Sequence, residues 1–348
     1  MSRRLRIAVF FGGCSPEHGV SLQSAAAVLK HMDREKYEPV MVGISQAGDW
    51  FHYAGPVGRV EDGTWYSGET CVPAAFSPSR GHPALLLLEE RGVRRISLDA
   101  AFPVLHGQNG EDGTLQGLME LAGVPLVGCG ALSSALCMDK DRAHKLVRAA
   151  GLAAPTSFVT KRADRETLER AEDIGYPLFV KPLRAGSSFG ITKVRKPGGL
   201  PAALETAFAY GEEAIVEECV PGFEVGCAVL GNDALTVGEP DEIELAGDFF
   251  DYQEKYTLKT SAIHVPARVP PERRRQIQEN ARRIYRALDC RGFARVDQFL
   301  TPEGRLVFNE VNTIPGFTAH SRYPNMMKAA GMPFEQVISS LIELAVKK

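Results

Sequence analysis

A strand over ARVDQFL would place Arg295 and Asp297 on one face, because side chains alternate sides with period two. A second strand over LVFNEVN does the same for Glu310 and Asn312. Joined by the short turn TPEG, the two form a hairpin that gathers an Asp, a Glu and an Asn. These are hard oxygen ligands with no sulfur or imidazole among them, a set that suits Mg²⁺ rather than zinc. Two carboxylates on a hairpin also describe a solvated face. Against that, the same alternation puts Phe308 on their face, and NTIPGF follows at once.

Lys181 ends an apolar strand, PLFVKP, and is followed by the turn RAGSSFG. Such a turn offers backbone N–H groups and small hydroxyls to phosphate oxygens, and Lys181 would supply the charge. A flexible hairpin would read the same way. No GxxxxGK[ST] string occurs, so a P-loop is not the phosphate site. Glu217, Glu218 and Glu224 follow, and a carboxylate beside a nucleotide takes ribose hydroxyls or metal, although exposed strand-end glutamates are commoner. In HGQNGEDGTLQG, His106 and Glu111 lie at a strand's C-terminal end, where open α/β sheets place ligands. A structural histidine is the competing reading there. VGCGALSS resembles a dinucleotide turn but lacks the acid about 20 residues on that the fingerprint needs.

The elements that must position these groups begin as βαβ text. LRIAVFF, the helix SLQSAAAVLKHM, EPVMVGI, AAFPVLHG, the helix TLQGLMELAG and VPLVG predict a doubly wound parallel sheet. Gly48 to Gly68 has no clear period and reads as an excursion from that sheet. One helix is expected to carry MDKDRAHKLVRAAG and to stop at Gly151 before Pro155. Beyond it strands and helices mix as in α+β folds. At 348 residues, two or three domains are affordable. We place the divisions at 1–128, 129–213 and 214–348.

Forty basic against forty-three acidic side chains leave a formal charge of -3, so bulk charge recruits neither nucleic acid nor anionic lipid. Seven cysteines occur with no CxxC pair, which reads as reduced thiols rather than a disulfide framework or zinc site. Ile7 to Phe11 is too short for a secretory apolar core, and no apolar run approaches the ~20 residues of a bilayer span. A cytoplasmic protein that binds neither membrane nor nucleic acid is expected.

Taken in order, HGQNGEDGTLQG, MDK, FVKPLRAGSSFG, VEECVPGFEVGCAVLG, FFDYQEKY, ARVDQF and FNEVNTIPGFTAHSRYP resemble the ATP-grasp D-alanine:D-alanine ligase family. DEIELAGDFFDYQEKYTLKTS and NTIPGFTAHSRYPNMMK are similar to the D-alanine:D-serine ligases of VanG-type vancomycin resistance. The resemblance implies a three-domain ATP-grasp fold, α/β and α+β, with ATP between the second and third domains and residues 241–262 as a lid. It implies that Lys140 and Lys181 meet ATP phosphates, that Glu217 and Val220 edge the adenine, and that Glu224 takes the ribose. Asp297, Glu310 and Asn312 match a two-Mg²⁺ site, with Mn²⁺ an acceptable substitute. Glu17, Ser187 and Tyr256 match a trio beside the first amino acid, and His106 joins the substrate site. Lys255, Ser321 and Arg322 match the place of the second amino acid's carboxylate.

The implied chemistry activates D-alanine as an acyl phosphate, which the amine of D-serine attacks. Arg295 and the Gly316 N–H would stabilise the oxyanion. The dipeptide would supply peptidoglycan precursors and vancomycin resistance, and the enzyme would be a homodimer. Two departures from the plain alanine ligases stand beside the second amino acid: Phe250 in place of a tyrosine, and Arg322 in place of an aliphatic residue. With Asp241 they form the expected serine pocket. Ligases specific for D-lactate carry a lid histidine, whereas Lys255 and Tyr256 remain here, which disfavours ester formation. A housekeeping D-alanine:D-alanine ligase is the alternative. A dehydrogenase built on Gly128 to Ser134 is more distant, and a silent nucleotide-binding regulator would be expected to lose Arg295 or a metal ligand.

Overall fold

The computed structural model describes residues 3–245, 261–318 and 320–347. Its first unit is a seven-stranded sheet. The β-branched and aromatic run β1 (Leu5–Gly12) is followed by α1 (His18–His31) and β2 (Tyr37–Ile44). The chain then adds β3 (Trp50–Tyr53), α2 (Val57–Glu61), β4 (Cys71–Ser77), β5 (Ala84–Glu89), β6 (Gly92–Ser97), β7 (Ala100–Pro103) and α3 (Thr114–Ala122). Strand order is β6-β5-β4-β3-β2-β1-β7. Only β1 with β2 and β1 with β7 pair in parallel, and β2 through β6 form an antiparallel meander. The parallel part matches the βαβ pattern, but residues 48–68 do not leave the sheet as expected. Instead Trp50–Tyr53 pairs with β2, and Trp65 is buried against Phe11. The expected strand VPLVG reduces to a single parallel bridge, Leu126 to Ala101.

From β1 the chain moves through α1 to β2 on one side and later returns to β7 on the other. The loops after β1 and β7 therefore border a crevice at the point where strand order reverses, the usual ligand position in such sheets.

The expected single helix is broken at Asp139. Helix α4 (Ala131–Met138) ends there, and α5 (Lys140–Ala149) starts with Asp139 as its N-cap, the carboxylate accepting the Arg142 N–H at 3.1 Å. This cap sets Lys140 as the first residue of a helix rather than one of its interior. The central sheet, order β10-β9-β11-β8, follows from β8 (Ser157–Thr160), α6 (Arg165–Ile174), β9 (Leu178–Pro182), β10 (Thr192–Val194), α7 (Leu200–Phe208) and β11 (Ala214–Glu218). A division at 213 would detach β11, yet β11 is hydrogen-bonded to both β8 and β9. Sheet pairing puts the break between Glu218 and Phe223.

The third sheet holds β12 (Phe223–Gly231), β13 (Leu235–Val237), β14 (Asp241–Leu245), β15 (Ser261–His264), β16 (Phe293–Leu300) and β17 (Leu306–Asn312). Helices α8 (Pro271–Ala287), α9 (Arg322–Ala329) and α10 (Phe334–Val346) complete the described elements. Residues of α4, α5, α8, β12 and β16 share one core. A second core joins α1 and β1 to α9, α10 and Phe317, which fixes the β7 loop against the loop after β17.

Candidate active site

The β16–β17 hairpin pairs Arg295 with Asn312 and Asp297 with Glu310, so these four side chains share one face. A bulge follows: Gln298 pairs with Phe308, leaving Asn309 as the extra residue. One inserted residue reverses the alternation beyond it. Phe308 therefore points into the core with no exposure, away from the carboxylates, contrary to the strict period-two reading. Asp297 is buried, and Arg295 donates to both its oxygens at 2.6 to 3.0 Å. The Asn312 amide donates to it at 3.0 Å. Burial alone would lower the Arg295 pKa, but Asp297 holds it above the usual guanidinium value. An oxygen-only set of two facing carboxylates and a carboxamide fits a hard divalent cation.

Lys181 is buried at the end of β9 and paired with Glu217 of β11. Burial would depress its pKa, but Glu217 keeps it raised, so the ammonium stays charged inside the cleft. Lys140 donates to the carbonyl of Ala185 at 2.7 Å, tying the start of α5 to the glycine-serine turn. In that turn Ser187 and Ser188 have φ of 51° and 59°, a left-handed conformation that costs non-glycine residues free energy. A cavity of about 290 Å³ is lined by Lys140, Lys181, Glu217, Val220, Glu224 and Glu310 among others. It lies between the central and third sheets, large enough to take part of a nucleotide. Lys181→Ala is expected to raise the KM for ATP and lower kcat together, each by about tenfold, since a charged contact worth roughly 3 kcal/mol is lost. ATP saturation curves identical to the parent's would remove the turn from the site.

A second cavity, about 570 Å³, is bounded by Glu17, His106, Ser187, Arg295, Asn312, Gly316, Ser321 and Arg322, which come from all three parts of the chain. Glu17 is buried and accepts the Ser187 hydroxyl across 170 residues of sequence. The Ser321 hydroxyl accepts the Thr318 N–H at 2.9 Å, which shapes the loop around Gly316. Glu111, which the sequence places beside His106 but to which the resemblance gives no role, lines this cavity too. It also lines a small pocket of about 20 Å³ with Lys140, Gly186, Glu310 and Asn312.

Arg322 is no solvated cation. Its Nε and Nη2 donate to Asp241 at 2.6 and 2.8 Å, and its Nη1 donates to Glu224 at 2.6 Å. Asp297 lies 3.4 Å from Nη2. Burial opposes the charge, but Asp241 and Asp297 push the pKa well above the ordinary value. Gly226 on β12 makes room for this junction, since a Cβ there would lie 2.3 Å from Arg322 Nη2 and 2.6 Å from Asp241 Oδ1. Asp241 itself is wholly buried beneath Arg322 and does not line the cavity, so any part it plays in the pocket runs through the guanidinium. Glu224, read as a ribose acceptor, also accepts from Asn309 at 3.3 Å. Phe250, Lys255 and Tyr256 lie outside the described residues, as does most of the lid at 241–262, of which β14 and the start of β15 are described.

Two family models cover the chain, the D-ala D-ala ligase N-terminus over residues 6–129 and the D-ala D-ala ligase C-terminus over residues 146–343. The VanG D-Ala:D-Ser ligase from Enterococcus faecalis superposes with a TM-score of 0.91 at 54% identity, covering 99% of this chain and 100% of that one. A putative D-alanine–D-lactate ligase of Streptomyces coelicolor is 48% identical over 99% of this chain and 98% of its own. A D-alanine–D-alanine ligase of Caldicellulosiruptor bescii is 42% identical over 99% and 96%. The relatives thus differ in the second substrate their names carry, while they match nearly the whole length of this chain. With both family models matched and the ATP-grasp architecture in place, the chain belongs to the D-alanine:D-alanine ligase family of ATP-dependent, peptide-bond-forming ligases.

Proposed function

We propose that this enzyme joins D-alanine to D-serine through an acyl phosphate, and that it works as a cytoplasmic homodimer. The observation that carries the serine reading is Arg322, a guanidinium fixed by Asp241 and Glu224 at the wall of the amino-acid cavity. A pocket that merely tolerates a hydroxyl discriminates weakly, whereas one built to hydrogen-bond it is left with unpaired polar groups when alanine binds.

In this reading Lys140 and Lys181 hold the ATP phosphates, Glu217 and Val220 edge the adenine, and Glu224 accepts from the ribose. Asp297, Glu310 and Asn312 hold two Mg²⁺ ions, which would neutralise phosphoryl charge when bound. Glu17, held by Ser187 and joined by Tyr256, faces the ammonium of D-alanine. His106 borders the same amino acid, while Lys255, Ser321 and Arg322 receive the second carboxylate and Phe250 leaves space for the hydroxyl. Arg295 and the N–H of Gly316 meet the oxyanion as the amine adds.

The test is competition of D-serine against D-alanine and D-lactate for the second site, with product identification. Arg322→Lys is the variant of choice, because Arg322→Leu would leave the wholly buried Asp241 without its guanidinium partner and destabilise the fold by about 3 to 5 kcal/mol. Lysine keeps the cation but cannot span Asp241 and Glu224 at once. It should move the product ratio toward D-alanyl-D-alanine by roughly ten- to a hundredfold, the worth of a charged hydrogen bond. A parent enzyme that makes mainly D-alanyl-D-alanine or the lactate ester sinks the serine reading.

A further inference from the structure

Two successive residues at the start of α5 grip two successive residues of the glycine-serine turn. In front, the Lys140 ammonium donates to the Ala185 carbonyl at 2.7 Å, and both residues line the cavity of about 290 Å³. Behind them, Asp139 Oδ2 accepts from Arg184 Nε at 2.8 Å, and neither of these two residues lines that cavity. The rear pair is anchored at both ends. Asp139 is buried and divides its oxygens: Oδ1 caps α5 by accepting the Arg142 N–H at 3.1 Å, while Oδ2 takes the guanidinium. Arg184 also reaches Glu213, just before β11, with Nη1 2.9 Å from Oε2. The Leu183 N–H donates to the Glu213 carbonyl at 2.9 Å, so the base of the turn is fixed to the central sheet as well.

The turn beyond this base needs such an anchor. Ser187 and Ser188 hold a left-handed backbone, which persists only where the surroundings impose it. Backbone N–H groups make a good phosphate site when they converge before the anion arrives, because ordering a loop on binding subtracts from affinity. The Arg184 side chain is 50% exposed, and an ion pair so open to solvent contributes little to global stability. A small effect on the fold and a place directly behind the phosphate contacts point to a role in binding.

We infer that Asp139 and Arg184 are positioning residues for the nucleotide phosphates: their ion pair sets the glycine-serine turn against the start of α5, so that Lys140 and the N–H groups of the turn meet the same phosphates. This rests on the phosphate role proposed above for Lys140 and Lys181. Breaking the pair weakens the grip on the phosphates and leaves the grip on adenosine as it was.

Asp139→Asn is a selective probe, because asparagine still caps the helix through its carbonyl oxygen but presents an NH₂ group where Oδ2 accepted from Arg184. The experiment measures kcat, the KM for ATP and for D-alanine, and the inhibition constants of ADP and of adenosine, in Asp139→Asn and in Arg184→Gln. The KM for ATP and the constant for ADP should rise by about five- to tenfold, with the KM for D-alanine and the constant for adenosine within about twofold of the parent. The double variant should cost no more than the costlier single change, because both break one tie. Arg142→Ala is the control: Arg142 Nη1 shares Asp139 Oδ2 at 2.8 Å but belongs to α5 itself, so its loss should leave the ATP dependence unchanged. A tie that only supports the fold would lower the unfolding temperature and weaken ADP and adenosine alike, and that result overturns the inference. Multiplied losses in the double variant, an equal effect of Arg142→Ala, or an unchanged KM for ATP in both single variants overturn it too. Lys181→Ala separates the two levels. If its ATP saturation matches the parent's, the phosphate reading fails. If its KM for ATP rises while Asp139→Asn and Arg184→Gln keep parental values, only the positioning pair fails.

Discussion

Glu310→Gln is expected to reduce ligation turnover by about a thousandfold or more, with unfolding in the absence of ligands shifted by only a few degrees. Glu310 stands opposite Asp297 in the hairpin register and lines both the 290 Å³ cavity and a small pocket that shares Glu111 and Asn312 with the larger cavity. In the proposed reading, that position brings its charge to the γ-phosphoryl group. Asp297 is held by Arg295 and lies 3.4 Å from Arg322, and Glu310 brings the second carboxylate to the face it shares with Asp297. An amide of the same shape preserves packing but removes that charge. The measurement is ADP release with D-alanine and D-serine, together with the rise in unfolding temperature on adding MgCl₂ and ATP. The parent should show a metal-dependent rise by mass action, and the variant little or none. Near-parental turnover in Glu310→Gln would refute the metal assignment.

What the sequence made legible was local. Period-two alternation is enough to put Arg295 with Asp297 and Glu310 with Asn312, and a strand running into RAGSSFG is enough to suggest a phosphate turn. What it hid depends on single-residue irregularities and on long-range packing. The bulge at Asn309 reverses the face of Phe308, and nothing in LVFNEVN marks it. The break at Asp139 is a capping event inside what reads as one helical run, although Asp followed by basic and apolar periodicity is the signal that could have located it. Strand β11 pairs with both β8 and β9, so a boundary drawn from local composition cut through a sheet. The guanidinium junction unites Arg322 with residues 81 and 98 positions away, and only the folded chain could show that Asp241 reaches the pocket from beneath. Glu111 lies beside His106 in the sequence, but only the folded chain places it in a pocket with Lys140 of α5 and Glu310 of β17.

Arg295→Ala should lower kcat for dipeptide formation by about a hundred- to a thousandfold, the loss typical when one oxyanion donor is removed. The side chain is nearly buried, carries its charge against the desolvation cost because Asp297 holds it, and borders the cavity beside Gly316. A preorganised donor of this kind needs no reorganisation as charge develops, which is why it stabilises the transition state more than the bound substrate. Removing it leaves Asp297 with Arg322 at 3.4 Å and Asn312 at 3.0 Å, so the carboxylate is not stranded and the fold should persist. The two chemical steps can be told apart by following positional isotope exchange in ATP with D-alanine alone, which reports reversible acyl-phosphate formation. If Arg295 serves the attack of the second amine, exchange continues in Arg295→Ala while dipeptide formation collapses. Arg295→Lys should fall between, since a point charge cannot reproduce the fork that grips Asp297 and faces the cavity together. Loss of exchange and of dipeptide in equal measure would instead assign Arg295 to phosphoryl transfer, and the oxyanion would then depend on the backbone N–H of Gly316.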